Sequence, residues 1–134
     1  MKKVLGLGNA LTDMLLQVSE DDLRELGFPK GSMNLISMQQ AEQIQMRFAS
    51  VRKHMVAGGS ASNAINTIAA LGGKAAFIGK IGNDEVGDFY REDMLKNNVK
   101  PILLTSNKEM SGCSIVLITP DGERTFATYL GAAS

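Results

Sequence analysis

The stretch Ala57-Gly58-Gly59-Ser60-Ala61-Ser62-Asn63-Ala64 joins a short extended run, His54 to Ala57, to a helical pattern that lasts to Leu71. Ala64, Ile65, Ile68, Ala69 and Leu71 mark the apolar face of that helix, and Gly72-Gly73 end it. Two glycines leading straight into a helix let a backbone approach a ligand closely, and the helix start offers free N–H donors. Asn63 lies about one turn in, where its amide can point back at whatever the glycines contact. A tight strand-to-helix turn that needs glycine only for packing has the same residues. Local physics leaves both readings open.

Working outward, Lys3-Val4-Leu5-Gly6-Leu7-Gly8 reads as a short buried strand ending in a glycine turn, and Met14-Leu15-Leu16 with Val18 as a second strand. Ser19 followed by Glu20, Asp21 and Asp22 opens a helix that Gly27 and Pro29 stop. Met33 to Ile36 is extended. Ser37 with Gln40 forms a capping-box pattern for a helix to about Ser50, with Met38, Ala41, Ile44 and Phe48 at helical spacing. Downstream, Ala75 to Gly79 is a buried strand followed by the turn Gly82-Asn83-Asp84. A helix from Val86 to Lys96 carries Phe89, Met94 and Leu95 on or near one face, and Ile102 to Leu104 is strand-like. Ser114 to Thr119 and Thr125 to Leu130 form a hairpin around Pro120-Asp121-Gly122-Glu123.

Strands alternating with helices predict a parallel sheet with helices packed on it. About three strands belong to that sheet. The terminal hairpin and the Met14 and Met33 strands do not fit the alternation and are expected to form a small second sheet. Gly131-Ala132-Ala133-Ser134 follows a strand with no closing element. In doubly wound folds the working sites lie outside the carboxyl ends of several strands, so the chain is expected to be the front part of something larger.

Composition narrows the function. The 134 residues, 44% hydrophobic and 21% charged, suit one globular domain able to bury roughly two-thirds of its unfolded surface. Fourteen basic and fourteen acidic residues cancel, which argues against a nucleic-acid partner and leaves little protection from self-association. A lone Cys113 excludes an internal disulfide and a cysteine zinc site, and a lone His54 argues against histidine metal sites. Cys113 is expected to be a buried inert thiol, His54 a strand residue, and the eight methionines core filler. Met1-Lys2-Lys3 and the apolar run behind it briefly resemble a signal peptide. Asn9 and Asp13 interrupt the run, and no stretch approaches ~18 apolar residues. A cytoplasmic protein with no membrane partner is the expectation.

Three segments carry candidate chemistry. The diglycine turn is one. Gly8-Asn9-Ala10-Leu11-Thr12-Asp13 is the second: Asn9 and Asp13 are typed to hold vicinal hydroxyls, and taken alone the segment also reads as an Asx-turn plus cap. Gly6-Leu7-Gly8 begins a dinucleotide-binding pattern, but Leu11 stands where the third glycine belongs, and a strand follows rather than a helix. No Walker A sequence occurs. In the third segment, Gly79 to Gly87, glycines and acids bracketing a helix start fit a phosphate- or metal-linked role; the structural reading, favoured here, makes Asp84 a helix cap and the glycines points of close crossing.

Together these segments resemble the ribokinase-like (PfkB) carbohydrate and nucleoside kinases. Gly58-Gly59 through Asn63, Leu71-Gly72, Phe77-Ile78-Gly79 and Gly82 to Gly87 are similar to that family's first signature, and Asn9 with Asp13 resembles its adenosine-kinase-like branch. Ser111-Gly112 through Gly131-Ala132 resembles the family's lid strands and the return to the main domain. The resemblance covers essentially all of the chain and less than half of a typical member. It implies an α/β fold: a ribokinase-like parallel sheet with flanking helices plus a small β lid, incomplete because only the N-terminal part is here. One segment, 1–134, is expected, with lid strands at approximately 14–18, 33–36, 53–57 and 114–130 and the ATP-binding part absent.

The resemblance also implies roles. Asp13 would hold the acceptor's sugar hydroxyls, assisted by Asn63 and the backbone around Gly58 and Gly59; Asn9 would orient the same pocket, and Leu11, Asn34 and Ile36 would form its walls. The family's second signature, a Gly-Ala-Gly-Asp run carrying the catalytic base, is missing, since Gly87-Asp88 is the one Gly-Asp pair and lacks the preceding Gly-x. No catalytic residue and no metal ligand are therefore expected in this chain. ATP and magnesium are implied as cofactors of the intact enzyme, a sugar or nucleoside as its substrate, and a homodimer through the lid as an assembly. Two rivals stand beside this reading: a non-catalytic binding or dimerisation module, and an NAD-binding Rossmann domain.

Overall fold

The computed structural model describes residues 3–134. In chain order its elements are β1 (Lys3–Leu7), β2 (Leu11–Gln17), α1 (Glu20–Leu26), β3 (Met33–Leu35), α2 (Met38–Arg47), β4 (His54–Gly58), α3 (Ser60–Ala70), β5 (Lys74–Gly82), α4 (Glu85–Lys96), β6 (Val99–Ser106), β7 (Gly112–Ile118), β8 (Arg124–Tyr129) and a 3-10 turn, Gly131–Ala133. The chain divides into two units. One holds the chain up to Thr12, Ala57–Gly112 and Leu130–Ser134; the other holds Asp13–Val56 and Cys113–Tyr129.

The first unit is built on a parallel sheet of order β1-β5-β6. α3 and α4 cover one face of it, burying Ile65, Phe77, Tyr90, Met94 and Val99 in a single core. Asp84 caps α4 by accepting from the Gly87 N–H at 2.8 Å, as its position predicts. The same carboxylate accepts from the Ser111 backbone N–H (2.8 Å) and Oγ (2.6 Å), and Ser111 Oγ accepts from the Gly82 N–H at 2.8 Å. A Cβ at Gly87 would stand 2.5 Å from the Gly82 carbonyl oxygen, so the glycines of this segment serve close crossing.

Several expectations change in this unit. β5 runs on to Gly82, and β6 is longer than Ile102–Leu104 despite Pro101; β6 ends the sheet order, where a missing N–H can face away from the ladder. Tyr90 rather than Phe89 is the core aromatic of α4, and Leu95, Leu71 and Ala64 are exposed. β1 is not a buried strand: Leu5 and Leu7 are 59% and 75% exposed, on the same sheet face as Ile102, in register with Leu7 through Ile78, and Leu104. The chain end is not bare, because the 3-10 turn buries Ala132 and Ala133.

The second unit carries most of a sheet of order β3-β8-β7-β2-β4, which gathers the strands that escape the alternation. β7 and β8 pair antiparallel, with Cys113 opposite Tyr129 and Ile118 opposite Arg124. α1 and α2 begin with the expected capping boxes, Ser19 with Asp22 and Ser37 with Gln40. Their apolar sides meet Met14, Leu16, Ile115 and Leu117 in a second core. Cys113 is buried as expected. The methionines divide: Met14 and Met94 are core, whereas Met33 and Met46 are exposed. Among the described residues no helix is long and apolar enough to cross a membrane.

Candidate functional site

In the first unit the diglycine turn and the Asn9 loop converge. β4 ends at Gly58, which is buried, and Gly59 then adopts φ 95° and ψ 131° as the N-cap of α3. That conformation belongs to glycine, and a Cβ there would lie 2.7 Å from the Asn9 carbonyl oxygen. The same carbonyl accepts from the Leu11 N–H at 3.1 Å, closing a tight turn after β1. No side chain caps α3, so its first N–H groups keep their donors for another partner. Asn63 donates its backbone N–H to the Gly59 carbonyl at 2.9 Å, and its side chain is exposed, as is that of Asn9. Asn9, Gly58, Gly59 and Asn63 are thus brought to one helix start. Leu11 is half-buried, with its Cδ2 2.8 Å from where a Cβ at Gly112 would stand. A cleft of about 270 Å³ opens beside Asn9 along the uncovered sheet face, lined by Leu7, Ile78, Lys80 and Leu104 among others.

In the second unit Asp13 is half-buried on β2. Burial raises its carboxyl above the ordinary 3.8, and the Arg124 cation pulls it partly back. Met14, Leu16, Cys113, Ile115, Leu117 and Ala127 occupy the core side of the sheet. Asp13, Ser114 and Thr128 alternate with these residues and face the other side. The hydroxyls of Ser114 and Thr128 bond to each other at 2.9 Å. Sequence reasoning missed this hydroxyl pair, although strict period-two alternation around Cys113 and Ile115 signals it.

Asn34 and Ile36 are placed differently from Asp13. Asn34 is in register with the core residue Ala127, and its Nδ2 donates to Ser32 Oγ (2.9 Å) and to the Phe126 carbonyl (3.1 Å). Ile36 packs against the core of this unit. Both therefore lie on the core side of the strand, and the β3 side chains on Asp13's side are the exposed Met33 and Leu35. A wall role for Asn34 and Ile36 would have to act through the strand they hold.

The dinucleotide reading fails on topology, because β1 is followed by strand β2 and Gly8 packs on α3 from below, its Cβ position 2.8 Å from Ala61 Cβ. Among the described residues no group of three His, Cys, Asp or Glu side chains could hold a metal ion.

The sequence matches the model of the pfkB family carbohydrate kinases over residues 31–134. The aminoimidazole riboside kinase of Salmonella typhimurium is 40% identical over 74 residues, which are 54% of this chain and 23% of that protein. A probable fructokinase-2 of Arabidopsis thaliana is 36% identical over 73 residues, 54% of this chain and 22% of that one. Among solved structures, the adenosine kinase from Sinorhizobium meliloti superposes with a TM-score of 0.78 at 34% identity, covering 98% of this chain and 40% of its own. The chain thus spans about a quarter of the curated relatives it matches and about two-fifths of that structure.

Proposed function

This chain belongs to the pfkB family of carbohydrate kinases, and on that premise we propose that it supplies the acceptor-binding part and lid of an ATP- and magnesium-dependent sugar or nucleoside kinase. The intact enzyme would transfer the γ-phosphate to a primary hydroxyl of the acceptor, with a base that lies outside this sequence. The observation that carries the reading is the convergence of Asn9 and Gly59 at the uncapped start of α3. In the first unit Asn63, Asn9 and the backbone at Gly58 and Gly59 offer neutral donors and acceptors for acceptor hydroxyls; in the second, taken by itself, Asp13 offers a carboxylate. Phosphoryl transfer depends on positioning and charge stabilisation around the γ-phosphate. No residue group described here does that work, so the chain alone has negligible turnover.

A thermal-shift series with adenosine, ribose and fructose tests the reading. An acceptor present at one hundred times its dissociation constant stabilises its binding state by about 2.7 kcal/mol. One of the three should raise the melting temperature of this chain, and Asp13→Ala should remove the effect. Ordinary kinase turnover by the 134-residue chain would contradict the assignment of the base elsewhere.

One observation favours a second reading, a non-catalytic association module. All-parallel sheets are normally covered on both faces. Here the row Leu5, Leu7, Ile102 and Leu104 is exposed among the described residues. Concentration-independent sedimentation as a monomer would remove that reading, and with it a homodimer through the lid.

A further inference from the structure

The Gly58–Gly59 peptide has no local reason to hold one orientation. Both flanking residues are glycines, and the backbone changes that flip a peptide plane meet no Cβ clash there. α4 supplies an external constraint. Tyr90 is 1% exposed. Its ring is tilted 52° against Phe77 with centroids 6.2 Å apart, and its Oη donates to the Gly58 carbonyl at 3.3 Å.

We infer that Tyr90 is a positioning residue for the diglycine turn: its hydroxyl pins the Gly58 carbonyl toward the core and thereby turns the Gly59 N–H the opposite way. The link is the trans peptide, in which the carbonyl and the following N–H lie in one plane and point apart. The ring is held by packing, so the hydroxyl approaches the carbonyl from a fixed base. Burial raises the phenol above its ordinary 10.0; the neighbouring Ser62 hydroxyl opposes this and Asp93 adds to it. Tyr90 is therefore a donor throughout the neutral range. That the oriented N–H serves an acceptor molecule rests on the reading given above; the pin itself does not.

The test compares the 15N-labelled chain with Tyr90→Phe, which keeps the ring and removes only the hydroxyl. Native-state amide exchange should quicken by about 2- to 10-fold at Asn63, whose N–H donates to the Gly59 carbonyl, the worth of one modest hydrogen bond, and the Gly59 amide resonance should move. Exchange in β5 should change less than at Asn63, the melting temperature should fall by no more than about 5 °C, and Met94→Leu, a core change on the same helix, should not reproduce the pattern. The probe among adenosine, ribose and fructose that stabilises the wild type should bind Tyr90→Phe about 2- to 10-fold more weakly. Unchanged exchange at Asn63 with an unmoved Gly59 amide resonance, or a uniform rise that includes β5, would overturn the proposal. Loss of the cooperative melt would overturn it too, because a hydroxyl that orients one peptide cannot hold the unit together. Selective quickening with none of the three probes bound by the wild type would leave the pin standing and remove the acceptor reading instead.

Discussion

Gly59→Ala is the substitution that bears most directly on how the turn is built. Two costs add at this position. The backbone sits at φ 95° and ψ 131°, a region that costs an L-residue of order 1–3 kcal/mol. The new methyl would also stand 2.7 Å from the Asn9 carbonyl oxygen, a backbone atom that moves only if the β1–β2 turn moves, for a further ~1–3 kcal/mol. Their sum, about 2–6 kcal/mol, is a large part of the ~5–15 kcal/mol by which a domain is stable. It should lower the melting temperature by roughly 5–25 °C. Gly72→Ala separates the two contributions. Gly72 has φ 89° and open space around its Cβ position, so alanine there meets the conformational cost alone, about 1–2 kcal/mol. Urea and thermal melts followed by circular dichroism measure both variants. Gly59→Ala must be the worse by at least ~1 kcal/mol for the Asn9 contact to be real. Equal destabilisation would refute the convergence of the two segments, and with it the observation on which the proposed function stands.

Three further outcomes are expected. Because burial raises the Asp13 carboxyl above 3.8, the folded state holds that proton more tightly than the unfolded chain; its contribution to stability is full below pH 3.8 and is lost as pH rises through the folded value. Asp13→Asn should accordingly melt above the wild type at pH 7 and level with it near pH 3, and a lower melt at pH 7 would count against a half-buried carboxylate. Asp84→Ala removes a helix cap and strips Ser111 of two bonds, which should cost about 2–4 kcal/mol in urea unfolding, whereas a loss under ~0.5 kcal/mol would mean the network is idle. Leu7→Gln with Leu104→Gln should reduce concentration-dependent association in sedimentation velocity at an unchanged melting temperature, since both side chains are exposed; a lower melt would show that something buries them.

What could be read from residue order followed the range of the interaction responsible. The caps of α1 and α2 lie within three residues, and Ser19 with Asp22 and Ser37 with Gln40 were visible for that reason. The hairpin around Pro120 to Glu123 is equally local. The face of α4 was not visible: Phe89 and Tyr90 are adjacent, and Phe77, on β5, takes the second. β3 is the sharper case. A three-residue strand carries no period of its own, so the side on which Asn34 falls depends on its pairing with Ala127 and its bond to the Phe126 carbonyl, 92 residues away. The apolar strand β1 misled in the other direction, because a parallel strand reads as buried on both faces whether or not both are covered.

The site segments were legible because they break local rules. Asp13 interrupts an apolar strand and titrates unfavourably there; Gly59 holds a conformation closed to other residues; α3 starts without a side-chain cap. Departures from local consistency gather where a protein works, and that is the warrant for these segments as the candidate site. Tyr90 is the converse. Its ring obeys the packing rules fully, so only the bond from its hydroxyl to Gly58 distinguishes it from a phenylalanine. A residue that acts by orienting another leaves its mark in a distance and none in the residue order, and for that reason the Tyr90→Phe comparison depends on the amides of Gly59 and Asn63 more than on stability.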